Sequence, residues 1–416
     1  MNISVTILLL ALAAGASPES GAPVSPAAGE EAISAVVSGM NGFAFSLYRE
    51  LAGKEGNIFF SPASLETALA MTATGAKGET AKQMNSILGL ASEDRAPTGF
   101  KMLLETINNP RRLNDQPAYQ MIIANALWGQ RGYPFREDFI RILGTSFMAG
   151  LNEVDFKESE DARKIINTWV AGKTHDKIKN LVPPGAITAL TRLVLTNAVY
   201  FKSNWAEPFF KNATKDAPFY PGGNKTVTVP MMRQVHSFGY LETGDLLAVE
   251  LPYTGYDLSM VILLPRERDG LTKLEGMLTK DRVDGWLGGI TRTKVDLSLP
   301  RFKFTSEFGM ADTLEKLGMV DAFDPEKADF SGISSEAGLA ISAVLHQAFV
   351  SVDEEGTEAA AATAVAMAGA AFDPEAPKIF KADHPFLFLI RHNRTGCILF
   401  LGRVVQPDGA AELIHP

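Results

Sequence analysis

Residues 351–371 read SVDEEGTEAAAATAVAMAGAA. The chain enters this run as a strand, Ala348-Phe349-Val350-Ser351-Val352, and turns acidic at Asp353-Glu354-Glu355. It then passes through Gly356 into residues that are almost all small. Other long stretches carry large apolar side chains at a period of about 2 or 3.6 residues, and this one has almost none to pack. The residues alone allow three readings. Alanine is the best helix former, which allows a surface helix between Gly356 and Gly369. Ala and Gly bury little area, which allows a linker. Small uncharged side chains also suit a segment that is exposed at one time and fitted into a sheet at another.

The chain around this run has 416 residues, 46% of them hydrophobic, enough for a large core in one domain or two. A formal net charge of -9 speaks against the basic footprint of a nucleic-acid binder. Cys397 is the single cysteine, which excludes an intrachain disulfide and a cysteine-rich metal site. Its place in GCILFL, 396–401, reads as a buried structural thiol. Residues 3–14, ISVTILLLALAA, are apolar but short for a bilayer span, and Ala14-Gly15-Ala16 offers a small-x-small cleavage site. Residues 1–16 are therefore expected to be a secretory signal peptide, although no Lys or Arg precedes the apolar run. Residues 17–32, mostly Ser, Pro, Gly, Ala and Glu, are expected to be disordered. The expected location is secreted, extracellular (periplasmic in a Gram-negative bacterium), with no membrane span.

Helical spacing of Val36, Met40, Phe43, Phe45, Leu47 and Leu51 predicts a helix over 33–51. Asn57-Ile58-Phe59-Phe60 reads as a short buried strand. Ser61-Pro62 then opens a helix, with Ser61 as N-cap and Pro62 at the first helical position, ending at Gly75. Further helices are expected up to about residue 90, over 99–107 and 136–143, and over 159–177 around Ile165, Ile166, Trp169 and Val170. Strands are expected at 119–128 and 152–156. From Leu193 strands dominate. LVLTNAVYF, 193–201, is apolar enough for burial on both faces, and shorter runs follow at 226–229, 248–251, 258–264, 295–304, 378–380, 386–390 and 398–404. Helices early and strands late, without a repeat or a Pro/Gly/Ser linker, predict one α+β domain over 33–407 with largely antiparallel sheets and a tail at 408–416.

His175, His236, His346, His384, His392 and His415 form no i,i+4 pair around a Glu. A G-x-S-x-G elbow, a P-loop and a G-x-G-x-x-G after a strand are all missing. A dispersed Ser-His-Asp triad would leave no such signature. These absences point to a binding or inhibitory protein rather than an enzyme, with no metal site and no cofactor.

FKADHPFLFLI, 380–390, resembles the signature of the serpin superfamily, and VDEEGTEAAA, 352–361, resembles the hinge of its inhibitory members. NIFFSPAS (57–64), GAKGET (75–80), TNAVYFK (196–202) with Trp205, and ADFSGI (328–333) are similar to further family segments in the same order, so the resemblance covers 33–407. It implies a fold with a five-stranded main sheet, two smaller sheets, eight or nine helices, and an exposed reactive-centre loop formed by the alanine-rich run. It also implies a monomeric suicide-substrate inhibitor whose partner is a serine protease. The protease attacks the loop, forms a covalent acyl-enzyme, and is carried across the molecule as the cut loop enters the main sheet. An inserted strand gains ladder hydrogen bonds on both sides, so the uncut fold is strained and kinetically held. The alternative is a non-inhibitory member acting as a binding or carrier protein. Such members tend to spoil the hinge with charged, bulky or proline residues.

The resemblance also assigns residues. The hinge comprises Glu354, Glu355, Gly356, Thr357, Glu358, Ala359, Ala360, Ala361 and Ala362, with Gly356 giving the turn its freedom. On an inserted strand Thr357, Ala359, Ala361, Thr363, Val365 and Met367 would share one face. The other face would carry Glu358 and five alanines, with Glu358 expected to stay wet at the hinge end. The family's usual register puts the reactive bond between Ala370 and Ala371, which suits elastase-like or subtilisin-like proteases. The interval from Gly356 to Pro385 is longer than is common, which makes Phe372, and chymotrypsin-like enzymes, the alternative. Ser61, Ser64, Asn197 and His346 match the shutter, a polar cluster beneath the main sheet. Trp205, Arg301 and Glu354 match the breach where insertion begins, with a salt bridge expected between the last two. Asn212, Asn224 and Asn393 open glycosylation patterns.

Overall fold

The largely apolar run at 193–201 lies in the main sheet. A computed structural model describes residues 26–90, 96–223, 225–358, 376–407 and 411–412. Its main sheet has six strands: β1 (Tyr119–Gln130), β2 (Leu151–Val154), β3 (Leu193–Asn204), β4 (Phe302–Gly309), β5 (Ala343–Val352) and the two-residue β6 (Gly356–Thr357). Their spatial order is β4-β5-β6-β3-β1-β2. The other five strands are the main sheet implied by the resemblance; β6 falls in the segment that the resemblance implies is the hinge. β3 is buried without a break from Leu193 to Phe201 because both faces of the sheet are covered. One face, with Leu195, Val199 and Phe201, joins the large core. The other, with Val194 and Ala198, packs under the helix Ser159–Lys173 through Ile166 and Val170. Each fully buried Leu, Val or Phe there contributes about 1.5–3 kcal/mol of transfer free energy.

The register matters for function. β3 runs antiparallel to β1 from Tyr119↔Ser203 to Gly129↔Leu193. It runs parallel to β5, but only from Ala343↔Val194 to Ala348↔Val199. Beyond that point β3 and β5 diverge, and β6 lies between them.

The second sheet has ten strands, because the 18-residue strand Lys225–Glu242 ties together what the family resemblance counts as two smaller sheets. The sequence marks only 226–229 of it, since Pro230 and the polar residues beyond interrupt the apolar pattern. Residues 295–304, expected as one strand, belong to two. Thr291–Pro300 pairs with Lys225–Glu242, and Phe302–Gly309 pairs with β5. Pro300 has no N–H to continue a ladder, and the amide of Arg301 turns to the carbonyl of Pro230 at 3.0 Å. Nine α-helices lie among the described residues. The first, Pro26–Leu51, begins inside the segment expected to be disordered. Residues 26–32 are helical because Ala27, Ala28, Glu30, Glu31 and Ala32 are good helix formers and the helix lies against Ala96–Ile107. Ser61 caps the helix Pro62–Ala73 as its sequence predicts, accepting from the Ser64 amide at 3.2 Å.

Candidate functional site: the seam of the main sheet

The point where β3 and β5 part is held by the acidic residues that precede the alanine run. Asp353 Oδ1 accepts the amides of Glu355 and Gly356 at 2.9 and 3.3 Å, which turns the chain back after β5. Thr357 then pairs with Val352 on β5 and with Ser203 on β3, and Gly356 pairs with Asn204. The hinge is therefore a wedge between the two strands. Gly356 is required by close approach: a Cβ there would sit 2.1 Å from the carbonyl oxygen of Ser203 and 2.7 Å from Cα of Asn204.

Side chains lock the wedge from both sides. Trp205 stacks on Tyr253 with ring centroids 4.6 Å apart and donates Nε1–H to the Asp353 carbonyl at 2.9 Å. The Tyr253 hydroxyl meets Thr357 Oγ1 at 2.7 Å. Glu354 and Arg301 form the expected salt bridge: Arg301 Nε lies 2.9 Å from both carboxylate oxygens, and Nη2 also donates to Oε1. The Glu354 side chain is 2% exposed and that of Arg301 is 43% exposed. Burial alone would raise the Glu354 carboxyl, but hydrogen bonds from Arg301 and Thr214 outweigh it and hold the pKa below the ordinary value. Glu355 is tied to Lys211 at 2.6 Å. In the intact chain Glu358 is tucked in at 13% exposure and paired with Lys177. Its φ of +51° turns the chain off the strand direction, so the side chain folds back onto the protein. Ala359, Ala360, Ala361, Ala362, Ala370, Ala371 and Phe372 lie outside the described residues.

Lower in the same seam, Ser61, Ser64, Asn197 and His346 come together. His346 Nε2 accepts the Ser61 amide at 3.1 Å, so the ring proton sits on Nδ1, which donates to Asn197 Oδ1. Asn197 Nδ2 donates to Ser64 Oγ at 2.6 Å. The Ser61 hydroxyl donates to the Leu399 carbonyl at 2.7 Å. Asn125 completes the cluster: it accepts from the Ser64 hydroxyl at 2.9 Å and returns a bond to the Ser64 carbonyl at 2.9 Å. The sequence reading missed Asn125. Its signal was a lone amide inside the apolar run MIIANAL, 121–127, matching the lone Asn197 and His346 in their own runs. The three lie at one level across the sheet, Asn125↔Asn197↔His346.

Burial pushes the His346 imidazole down to about 3, so it is neutral at physiological pH. The unfolded ring, near 6.5, binds a proton that the folded ring refuses. Stability contributed by the neutral ring is thus present above about pH 6.5 and is lost as pH falls toward 3. Between pH 7.5 and 5 this amounts to about 2 kcal/mol. His392, also lowered by burial and by Arg394, acts in the same direction. The share of His346 is therefore read from urea unfolding at pH 7.5 and pH 5, as the difference between wild type and His346→Gln in the unfolding free energy lost. Equal losses would contradict it.

Other sequence candidates take ordinary places. Cys397 is buried against Met40, its Sγ 3.8 Å from the thioether, and burial pushes its thiol pKa up. Asn393 spends its amide on the Tyr256 carbonyl and the Ser259 hydroxyl, both at 2.9 Å, so in the folded chain it is not free for a glycan. Asn212 is exposed, and Asn224 lies outside the described residues. Among the described residues no three of His, Cys, Asp and Glu gather as metal ligands, and no helix is long and apolar enough to cross a membrane. Residues 1–16, expected as a leader, lie outside the described residues.

With this geometry in view, comparison with known proteins is unambiguous. The family model described as Serpin (serine protease inhibitor) matches residues 38–407. An uncharacterized serpin-like protein of Thermococcus kodakarensis is 45% identical over 378 residues, covering 90% of this chain and 86% of that protein. Human leukocyte elastase inhibitor is 42% identical over 376 residues, covering 88% of this chain and 97% of the inhibitor. Among solved structures, Serpin48 of the insect Tenebrio molitor matches with a TM-score of 0.80 at 34% identity, over 90% of this chain and 98% of its own. Human thyroxine-binding globulin matches at 0.82 and 29%, over 90% and 99%. The chain belongs to the serpin family, whose protease-inhibitor members are among its relatives.

Proposed function

We propose that this chain is a suicide-substrate inhibitor of serine proteases, elastase-like or subtilisin-like, working outside the cell after loss of residues 1–16. A target protease cuts the loop at Ala370, is held as a covalent acyl-enzyme, and is trapped when the cut loop becomes a strand between β3 and β5.

The observation that carries this reading is β6, two hinge residues already paired antiparallel to both neighbours. Below them β3 and β5 pair in parallel. Extending β6 exchanges that one parallel ladder for two antiparallel ones, and antiparallel pairing is the more stable per residue. The chemistry of the loop fits: after Glu358 no charged residue follows until Asp373, so the strand-to-be desolvates no ion. The relationship to leukocyte elastase inhibitor supports the inhibitory reading, and the relationship to thyroxine-binding globulin supplies the competing one, a carrier.

Incubation with elastase, subtilisin and chymotrypsin, followed by denaturing gels, separates the two. A complex that survives denaturant is the expected result with elastase or subtilisin, and the released C-terminal peptide should begin at Ala371. A peptide beginning at Asp373 would move the reactive bond to Phe372. Cleavage by all three enzymes without any complex would leave the carrier reading.

A further inference from the structure

The turn after the helix Ser159–Lys173 lies across the seam that the loop must open. His175 and Asp176 both adopt left-handed backbone, φ +50° and +60°, which a non-glycine residue seldom takes twice in succession. That conformation aims two side chains at different strands. The His175 ring packs edge-on against Tyr200 of β3, with centroids 5.4 Å apart. Lys177 Nζ lies over the ring of Phe349 on β5, 5.6 Å from its centroid, and also pairs with Glu358 of the hinge. The parallel pairing of β3 and β5 stops at Ala348↔Val199. Phe349 and Tyr200 are the next residues on each strand, so the turn grips the sheet one step past the last closed pair. The helix before it packs on both strands as well, through Val194 and Ala198 of β3 and Leu345 of β5.

We infer that the turn at residues 174–177 is a clamp on the seam, and that the contact of Lys177 with Glu358 sets how far the hinge is inserted before cleavage. Lys177 is a positioning residue in this scheme. It is not part of the bond that the protease is proposed to cut. For the strand to lengthen, Glu358 must leave φ +51° for an extended backbone and so give up Lys177. The clamp rests on the loop-insertion reading above, and its test needs no protease.

A fluorescein-labelled peptide with the sequence of residues 357–370, TEAAAATAVAMAGA, is offered to the intact chain, and its uptake into the seam is followed by anisotropy. Lys177→Met keeps the aliphatic stem and removes the charge; Glu358→Gln removes the partner. Each is expected to anneal the peptide about five- to tenfold faster, as loss of a partly buried ion pair from the closed state requires. The double variant should be no faster than either single one. Lys303→Met is the control: its ammonium lies 5.7 Å from the centroid of the same Phe349 ring, and its annealing rate should equal that of wild type. Wild-type rates in both Lys177→Met and Glu358→Gln, or two effects that multiply, would overturn the clamp. So would failure of every variant to take up peptide. In that last case a loop-cleaved chain that melts higher than the intact one leaves the insertion reading standing, and one that does not removes it too.

Discussion

Replacing Gly356 by valine is expected to turn the chain from the inhibitor proposed above into a substrate. The side chain would have to occupy space 2.1 Å from the Ser203 carbonyl, on a strand whose far edge is already paired to Tyr119. β3 has no freedom to retreat, so the hinge would be expelled from between β3 and β5. Gly356 also sits at φ +155°, outside the range that side chains readily adopt. Backbone strain of this kind costs roughly 1–3 kcal/mol, and placed on the path of insertion it slows trapping about ten- to hundredfold. The protease then completes hydrolysis before it is trapped. The ratio of cleaved chain to covalent complex on a denaturing gel measures the effect. An unchanged ratio would mean that the wedge seen at Gly356–Thr357 is not on the insertion path.

The second large effect is expected at Glu354. Its carboxylate is 2% exposed and receives Arg301 on both oxygens together with the Thr214 hydroxyl. Glu354→Ala removes charge-assisted hydrogen bonds from a site closed to water, while Arg301, 43% exposed, can be rehydrated. The loss is therefore that of the bonds rather than of a stranded buried charge, about 2–4 kcal/mol. Because Glu354 anchors the root of the hinge, part of that loss should appear as faster spontaneous loop insertion. A double-mutant cycle with Arg301→Met, read by urea unfolding, should return a coupling of at least about 1.5 kcal/mol. No coupling would show that the pair contributes nothing.

How far these sites could be read beforehand depends on the kind of signal each left. The cap at Ser61-Pro62 is a local rule, and the helix starts there. The apolar run at 193–201 reads as a strand buried on both faces, and it is one. Registers left weaker traces. Asn125 is one amide in an apolar strand, and nothing local says that it stands level with Asn197 and His346. Pro300-Arg301 interrupts a pattern that otherwise alternates smoothly, so one expected strand is two strands in different sheets. Glu358 reads as wet only on an inserted strand, and nothing in its sequence shows that in the intact chain a turn at φ +51° folds it back onto the protein. Lys177 belongs to a turn of two left-handed residues without glycine, a conformation that its sequence does not announce. The resemblance to serpins supplied the shutter and breach residues, whereas the clamp at 174–177 shows only in the fold.

The trapping and annealing effects depend on one claim, that the intact chain is the less stable arrangement and the inserted one the more stable. The direct measurement is the midpoint of thermal unfolding before and after a single cut in the loop by a protease that the chain does not trap. Two antiparallel ladders in place of one parallel ladder, at about 0.5–1.5 kcal/mol per hydrogen bond gained along most of a strand, should raise the midpoint by at least about 10 °C. A cut chain that melts at the same temperature as the intact one, or lower, as a nick in an ordinary loop would leave it, would contradict loop insertion.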